Sequence, residues 1–322
     1  MKILVTGGAG YLGSVLVSHL LYHGHHVRVL DNMMHGGSSL LSVLYHPNFE
    51  FTVGDVRITQ TVSQALEGME GVVHLAAIVG DPACAREPTL ARETNEEASR
   101  SLISLCEKAG VQRLVFASTC SNYGRATNPS EYMTEEAELR PVSLYAETKV
   151  AVEKALLGLQ SDALTVTVLR LATLFGLSPR MRFDLTVNEF TKDLLLNGSI
   201  VVYGEQFWRP YVHVLDAARA MTAVLEAPVD KVQRQVFNVG DTSQNYQKEQ
   251  LVQLIAAELD EPVEVQHVHK EEDPRDYKVS FSKISNVLDF HTTRTVTDGI
   301  REIIDAIKQS LVTDVDNPRY KN

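Results

Sequence analysis

The segment TGGAGYLG at residues 6–13 constrains this chain more than any other. It follows a short apolar run, KILVT at 2–6, and opens a periodic stretch from Tyr11 to His23. A glycine triplet alone is a weak signal, but between a buried strand and a helix it makes a turn that aims free N–H groups and a positive dipole end at a phosphate. Gly7 makes the tight turn, Gly10 lets a pyrophosphate approach the backbone, and Gly13 lets the helix pack on the strand. A second run, HVRVLD at 26–31, ends on Asp31. A carboxylate there accepts hydrogen bonds from an adenosine ribose diol and repels a 2′-phosphate, which predicts NAD rather than NADP as cofactor. Asp55, in VGDV after a third run, is a candidate for the adenine amino group.

Further runs follow at 71–77 (GVVHLAA), 113–118 (RLVFAS) and 166–172 (VTVLRLA), beside FEFTVGD at 49–55. They are nearly continuous in apolar residues, as strands covered on both faces of a parallel sheet are. Helical patterns lie between them. Over Arg92–Ala109, for example, Ala98, Leu102, Leu105, Cys106 and Ala109 share one face. This alternation predicts an α/β fold, a doubly wound parallel sheet of the Rossmann type over 1–174. After Phe175 the pattern loosens into a smaller mixed α/β lobe over 175–322, with segments near 211–216 and 235–242 returning to the first domain. The cleft between the lobes is the expected site.

Composition narrows the partners. With 30 Lys plus Arg against 41 Asp plus Glu, the net charge is −11, and no basic run offers a footprint for nucleic acid or an anionic membrane face. The first apolar run is too short for a signal peptide or a membrane span. Cys84, Cys106 and Cys120 form no C-x-x-C pair. These features predict a cytoplasmic protein with reduced thiols. No histidine cluster has metal-ligand spacing, so no metal is expected, and His74 and His213 read as structural.

Tyr145 and Lys149, in LYAETK, are four apart and share a helix face. An ammonium beside a phenol favours tyrosinate, which is what a general base for an alcohol needs. Thr119 ends RLVFAST at the carboxyl edge of the sheet, where its hydroxyl can relay the substrate proton. The neighbouring Cys120 reads more readily as a packed small residue than as a reactive thiol.

Together TGGAGYLG, Asp31, GVVHLAA, ASTCSNYG and YAETK resemble the extended short-chain dehydrogenase/reductase family, in its nucleotide-sugar epimerase and dehydratase branch. RLATLFG is similar to that family's R-x-x-N-x-Y-G, RPYVHV to its R-D-Y-x-H-V, and EDPRDYKVSFSKI to its late R-P-G-D stretch. The resemblance implies that Gly7, Gly10, Tyr11, Leu12, Asp31, Asn32, Asp55, Val56, Leu75, Ala76 and Ala77 hold NAD together with Tyr145 and Lys149. It implies Thr119, Tyr145 and Lys149 as the catalytic set, with Arg209 clamping the diphosphate of a nucleotide-sugar substrate. Cys120, Ser121, Thr173 and Arg275 fall at its substrate side. LRLATLFGLSPRMRFDLTVNEF, STCSNYG and the ending NPRYKN resemble a subgroup of bacterial sugar-nucleotide oxidoreductases that includes C4 dehydrogenases of GDP-heptose modification. This adds Arg180, Arg182 and Asn188 as substrate candidates.

The departures are informative. Family 4,6-dehydratases resemble T-D-E-x-Y-G at the strand end, whereas this chain has Cys120 and Ser121 in place of the two carboxylates. Thr173 and Phe175 replace the usual Asn and Tyr, and Arg275 stands for a glycine. The expected chemistry is therefore hydride transfer at C4 of a nucleotide sugar without loss of water. Return of the hydride makes an epimerase and release of the ketose a dehydrogenase or, backward, a reductase. A silent NAD-binding sensor is the rival from another class, and three intact catalytic residues argue against it. The apolar faces of Arg92–Ala109 and Tyr145–Leu157 predict a homodimer.

Overall fold

In the computed structural model, which describes residues 1–126, 128, 131–270 and 275–322, the glycine turn sits between the first strand and first helix of a parallel sheet. The strands are β1 (Lys2–Thr6), β2 (His26–Asp31), β3 (Phe49–Val53), β4 (Gly71–His74), β5 (Arg113–Thr119), β6 (Thr165–Leu171) and β7 (Gln235–Val239). They lie in the order β7-β6-β5-β4-β1-β2-β3, all parallel. This is the doubly wound Rossmann arrangement, and the order reverses between β1 and β4, where such sheets open a crevice at their carboxyl ends.

Both faces of the sheet are covered. On one face α1 (Tyr11–Tyr22) packs against Val214–Glu226, and Leu16, Val17 and Leu20 are buried with Val29, Ala217 and Met221. On the other, Leu4, Val72 and Leu114 meet Val62, Leu102 and Val152 from three helices. Here α2 is Thr59–Leu66, α3 is Ala98–Ala109 and α4 is Leu144–Leu157. Strand positions buried on both sides explain why alternation is absent from the sequence.

The helix predicted over Arg92–Ala109 is broken. A turn over Pro88–Arg92 and a π turn over Glu93–Glu97 precede α3. The extra residue turns Asn95 inward, where its amide donates to the Ile78 carbonyl at 2.9 Å and its oxygen accepts the Ile78 N–H at 2.7 Å. Such π turns relocate side chains at sites.

Trp208–His213 does not return to the main sheet. It pairs with Thr173–Phe175 and Asn245–Gln247 in a separate three-stranded sheet, because β7 takes the place beside β6. The second lobe has its own core of Phe175, Val187, Tyr211, Leu251 and Ile300. The expected surplus of apolar surface on α3 and α4 is also missing. Among the described residues the exposed large hydrophobics lie elsewhere, for instance at Leu41, Tyr45 and Phe51, since the apolar face of α3 is taken up by the sheet. No helix is long and apolar enough to cross a membrane among the described residues.

Candidate active site

A long cavity runs along the carboxyl ends of the strands. Gly7 carries φ +74°, and a Cβ there would come within 2.8 Å of the Ala76 nitrogen. A Cβ on Gly13 would overlap the Gly7 carbonyl, so only glycine lets α1 sit this close to the turn. Gly10 is the N-cap of α1 and offers no side chain to its first N–H groups, and no acidic residue occupies the first turn. The floor is left open to an anion at a helix N-terminus. This cradle fits a dinucleotide diphosphate.

Gly7, Gly10, Tyr11, Leu12, Asp31, Asn32, Asp55, Val56, Leu75, Ala76, Ala77, Tyr145 and Lys149 all line this one cavity. Asp31 accepts the Ala9 N–H at 3.0 Å and the Met33 N–H at 2.8 Å, which fixes the carboxylate at the end of β2 with lone pairs to spare. Arg57 grips Asp55 at 2.7 Å and keeps its carboxyl below the usual range. Arg57 itself, His35, Thr94 and Asn322 line the cavity as well, and no local signal in the sequence marks them.

Ser143 caps α4, its hydroxyl accepting the Ala146 N–H at 3.3 Å, and so sets Tyr145 and Lys149 one turn apart on the cavity wall. The Lys149 ammonium donates to the Ala117 carbonyl at 2.8 Å and lies 5.8 Å from the Tyr145 ring centroid. Burial holds Lys149 down to about 8. The Tyr145 phenol is pushed up, by burial first and by Cys84 next, against the lowering expected from the Lys149 ammonium. Burial outweighs an ammonium that is partly satisfied by a backbone carbonyl. His74 is held down to about 3 by burial and then by Lys149; it stays neutral between the hydroxyls of Thr6 at 2.7 Å and Ser99 at 2.8 Å. His213 likewise bonds Glu302 at 2.9 Å.

Beneath Tyr145 and Lys149 lies a network that the motifs do not reveal. Glu153 follows Lys149 by one turn of α4 and pairs with Arg170 of β6 at 2.8 Å, both buried. It also accepts from Ser118, which lines the cavity, and from Asn122 at 2.8 Å. The spacing from Lys149 was the available clue.

The substrate candidates divide. Cys120 does not face the cavity; its thiol is buried, donates to the Arg170 carbonyl at 3.3 Å and is pushed up by burial. A neutral, enclosed thiol is inert. Asn188 is fully buried and is engaged within the loop. Its side chain accepts the Gly176 N–H at 3.0 Å and donates to the Arg182 carbonyl at 2.8 Å, holding a turn in which Gly176 has φ +102°. Thr119 ends β5 with its hydroxyl accepting the Ser121 N–H at 3.1 Å; Ala117 and Ser118 rather than Thr119 form the adjoining wall. Thr173 pairs with Tyr211 in the small sheet. Ser121, Arg209 and Arg275 gather around Tyr277: Ser121 hydrogen-bonds its hydroxyl, and the Arg209 guanidinium lies 5.7 Å from its ring. Arg275 is ion-paired to Asp81 at 2.9 Å. The part of the late motif at 272–274 lies outside the described residues. Arg180 and Arg182 do line the cavity, next to Tyr11 rather than beside Tyr277. Among the described residues, no three His, Cys, Asp or Glu side chains could hold a metal ion.

Residues 3–240 match the NAD dependent epimerase/dehydratase family. The chain belongs to this family. A UDP-N-acetyl-alpha-D-glucosaminuronate decarboxylase of Bacillus cytotoxicus is 26% identical over 94% of this chain and 96% of its own length. A UDP-glucose 4-epimerase of Corynebacterium glutamicum is 28% identical over 82% of each chain. The solved UDP-glucose 4-epimerase of Thermus thermophilus, in complex with NAD, superposes with a TM-score of 0.82 at 28% identity, covering 96% of this chain and 99% of that one. NAD is the cofactor of this family member.

Proposed function

We propose that this family member oxidises C4 of a nucleotide-activated sugar, with Tyr145 as general base, and that it does so without losing water. NAD+, held by the glycine turn and Asp31, would supply the hydride acceptor and a positive ring charge. Tyr145 takes the proton of the C4 hydroxyl, directly or through Thr119. Lys149, one turn on, holds positive charge toward the phenolate against the burial that otherwise favours phenol. The ketone that results either accepts hydride on its opposite face or leaves, which separates an epimerase from a dehydrogenase. Arg209 and Arg275, near Tyr277, suit the diphosphate of the sugar nucleotide.

The observation that carries the reading is the placement of Tyr145 and Lys149 in the same cavity as the glycine turn, while Cys120 turns away from it. Removing water across C5 and C6 requires an acid and a base next to the sugar. Cys120, enclosed and protonated, serves as neither, and a serine hydroxyl at Ser121 is too weak a base. Incubation with UDP-, dTDP-, GDP- and CDP-sugars in deuterated water, read by mass spectrometry and NADH absorbance, tests this. Products of unchanged mass or lighter by two hydrogens are expected. Loss of the mass of one water refutes the proposal.

A further inference from the structure

Arg180 stands out among the charged groups because its surroundings do not complete it. It is 7% exposed, its Nε is buried with no hydrogen-bond partner, and it lines the cofactor cavity. One terminal nitrogen donates to the Lys321 carbonyl at 3.0 Å. Burial and the neighbouring Arg182 hold the guanidinium down to about 10, so a nearby anion would relieve it. Arg182, by contrast, is forked onto Asp184 at 2.7 Å.

The loop that carries Arg180 is stitched to the first turn of α1. Tyr11 donates its hydroxyl to the Gly176 carbonyl at 2.7 Å, and Ser178 donates to the Tyr11 carbonyl at 2.6 Å. These bonds tie the loop of Arg180 to the first turn of α1, whose uncapped N-terminus lines the same cavity. Asn322, also lining the cavity, has a buried Oδ1 without a partner, and its N–H is held by Asp184 at 3.3 Å. Arg180, from the second lobe, thus lines the cavity with its hydrogen bonding incomplete, held there by residue 321.

We infer that Arg180 is the second half of the cofactor diphosphate site, closing from the second lobe over phosphates that the glycine turn cradles from the first, with residues 321 and 322 holding it in place. The sugar nucleotide's diphosphate has the same chemistry, and the test separates the two. The inference rests on NAD as cofactor and is independent of C4 chemistry.

Arg180→Met is compared with the wild type, both freed of nucleotide, by titration with NADH, ADP-ribose, adenosine and UDP. Loss of a charge-assisted hydrogen bond to phosphate should weaken NADH and ADP-ribose by roughly ten- to a hundredfold. Adenosine, which lacks phosphate, and UDP should change by less than about threefold, a shift below the range of a lost hydrogen bond. Unchanged adenosine binding also certifies the fold. Should the methionine variant not fold, Arg180→Lys keeps a cation but loses the planar fork. It should bind ADP-ribose at least about threefold more weakly. NADH and ADP-ribose affinities within about threefold of wild type in a folded variant overturn the inference. So does a loss confined to UDP, which would assign Arg180 to the sugar nucleotide.

Discussion

Lys149→Met should make the fold more stable while disabling the enzyme. Lys149 falls from an ordinary 10.5 to about 8 because it is buried, which amounts to about 3 kcal/mol of preference for its neutral form. At pH 7 the folded protein must carry that charge, and methionine, unbranched and apolar, fills the same space without it. Against this, the Ala117 carbonyl loses its 2.8 Å donor, at about 1–2 kcal/mol. The net gain is about 1–2 kcal/mol, or roughly 1–3 °C in melting temperature for a chain of this size. The pH dependence isolates the cause. Below about 8 the lysine is charged in both states and the penalty is full. Between about 8 and 10.5 the unfolded chain holds the proton and the folded chain does not, so wild-type stability rises with pH. Above 10.5 both are neutral and the penalty is gone. Thermal melting of nucleotide-free wild type and variant from pH 7 to 10.5 should therefore show the variant's advantage fading and then reversing. A variant that is less stable at pH 7, with a difference flat across this range, refutes the reasoning. Cofactor binding and turnover should both fall in the variant.

Tyr145→Phe should leave NAD binding nearly intact and lower turnover at least about a hundredfold; a variant keeping a tenth of the rate would remove the phenol from its role. Asp31→Ala should narrow the preference for NAD over NADP, and equal wild-type affinities for both would show that Asp31 does not reach the ribose. Glu153→Gln leaves the Arg170 guanidinium buried without its counter-charge and should destabilise the fold by about 3–5 kcal/mol in chemical denaturation; a loss under about 1 kcal/mol would mean that solvent reaches the pair.

The site was legible in the sequence where local geometry dictates it. A strand followed by Gly7, Gly10 and Gly13 has few ways to fold, and Tyr145 with Lys149 needs only a helix to share a face. It was illegible where side-chain direction depends on distant partners. Cys120 follows the last residue of β5, where strand alternation stops and a 3₁₀ turn carries the thiol into the core. Asn188 looks like a polar residue at a cleft, yet the Gly176 turn claims it, a contact that spans 12 residues. The strand at Trp208–His213 reads the same whichever sheet receives it, and only the presence of β7 beside β6 decides.

Two buried charged groups away from the cavity are well satisfied: Glu153 holds Arg170, and Asp216 takes the N–H groups of Thr293 at 3.0 Å and Arg294 at 2.9 Å. Along the cavity several groups are less complete. Lys149 is buried with a carbonyl as its hydrogen-bond acceptor, the Arg180 Nε has no acceptor, and α1 begins without a side-chain cap. Each departure lowers stability, and a chain selected for stability alone would replace them. Their order along the cavity, from an uncapped helix end to a buried ammonium beside a phenol, matches a long ligand with negative charge near its middle and redox chemistry at one end. The unfavourable groups are thus the ones a dinucleotide would complete, which is why the Lys149→Met and Arg180→Met measurements bear on the same idea from opposite sides.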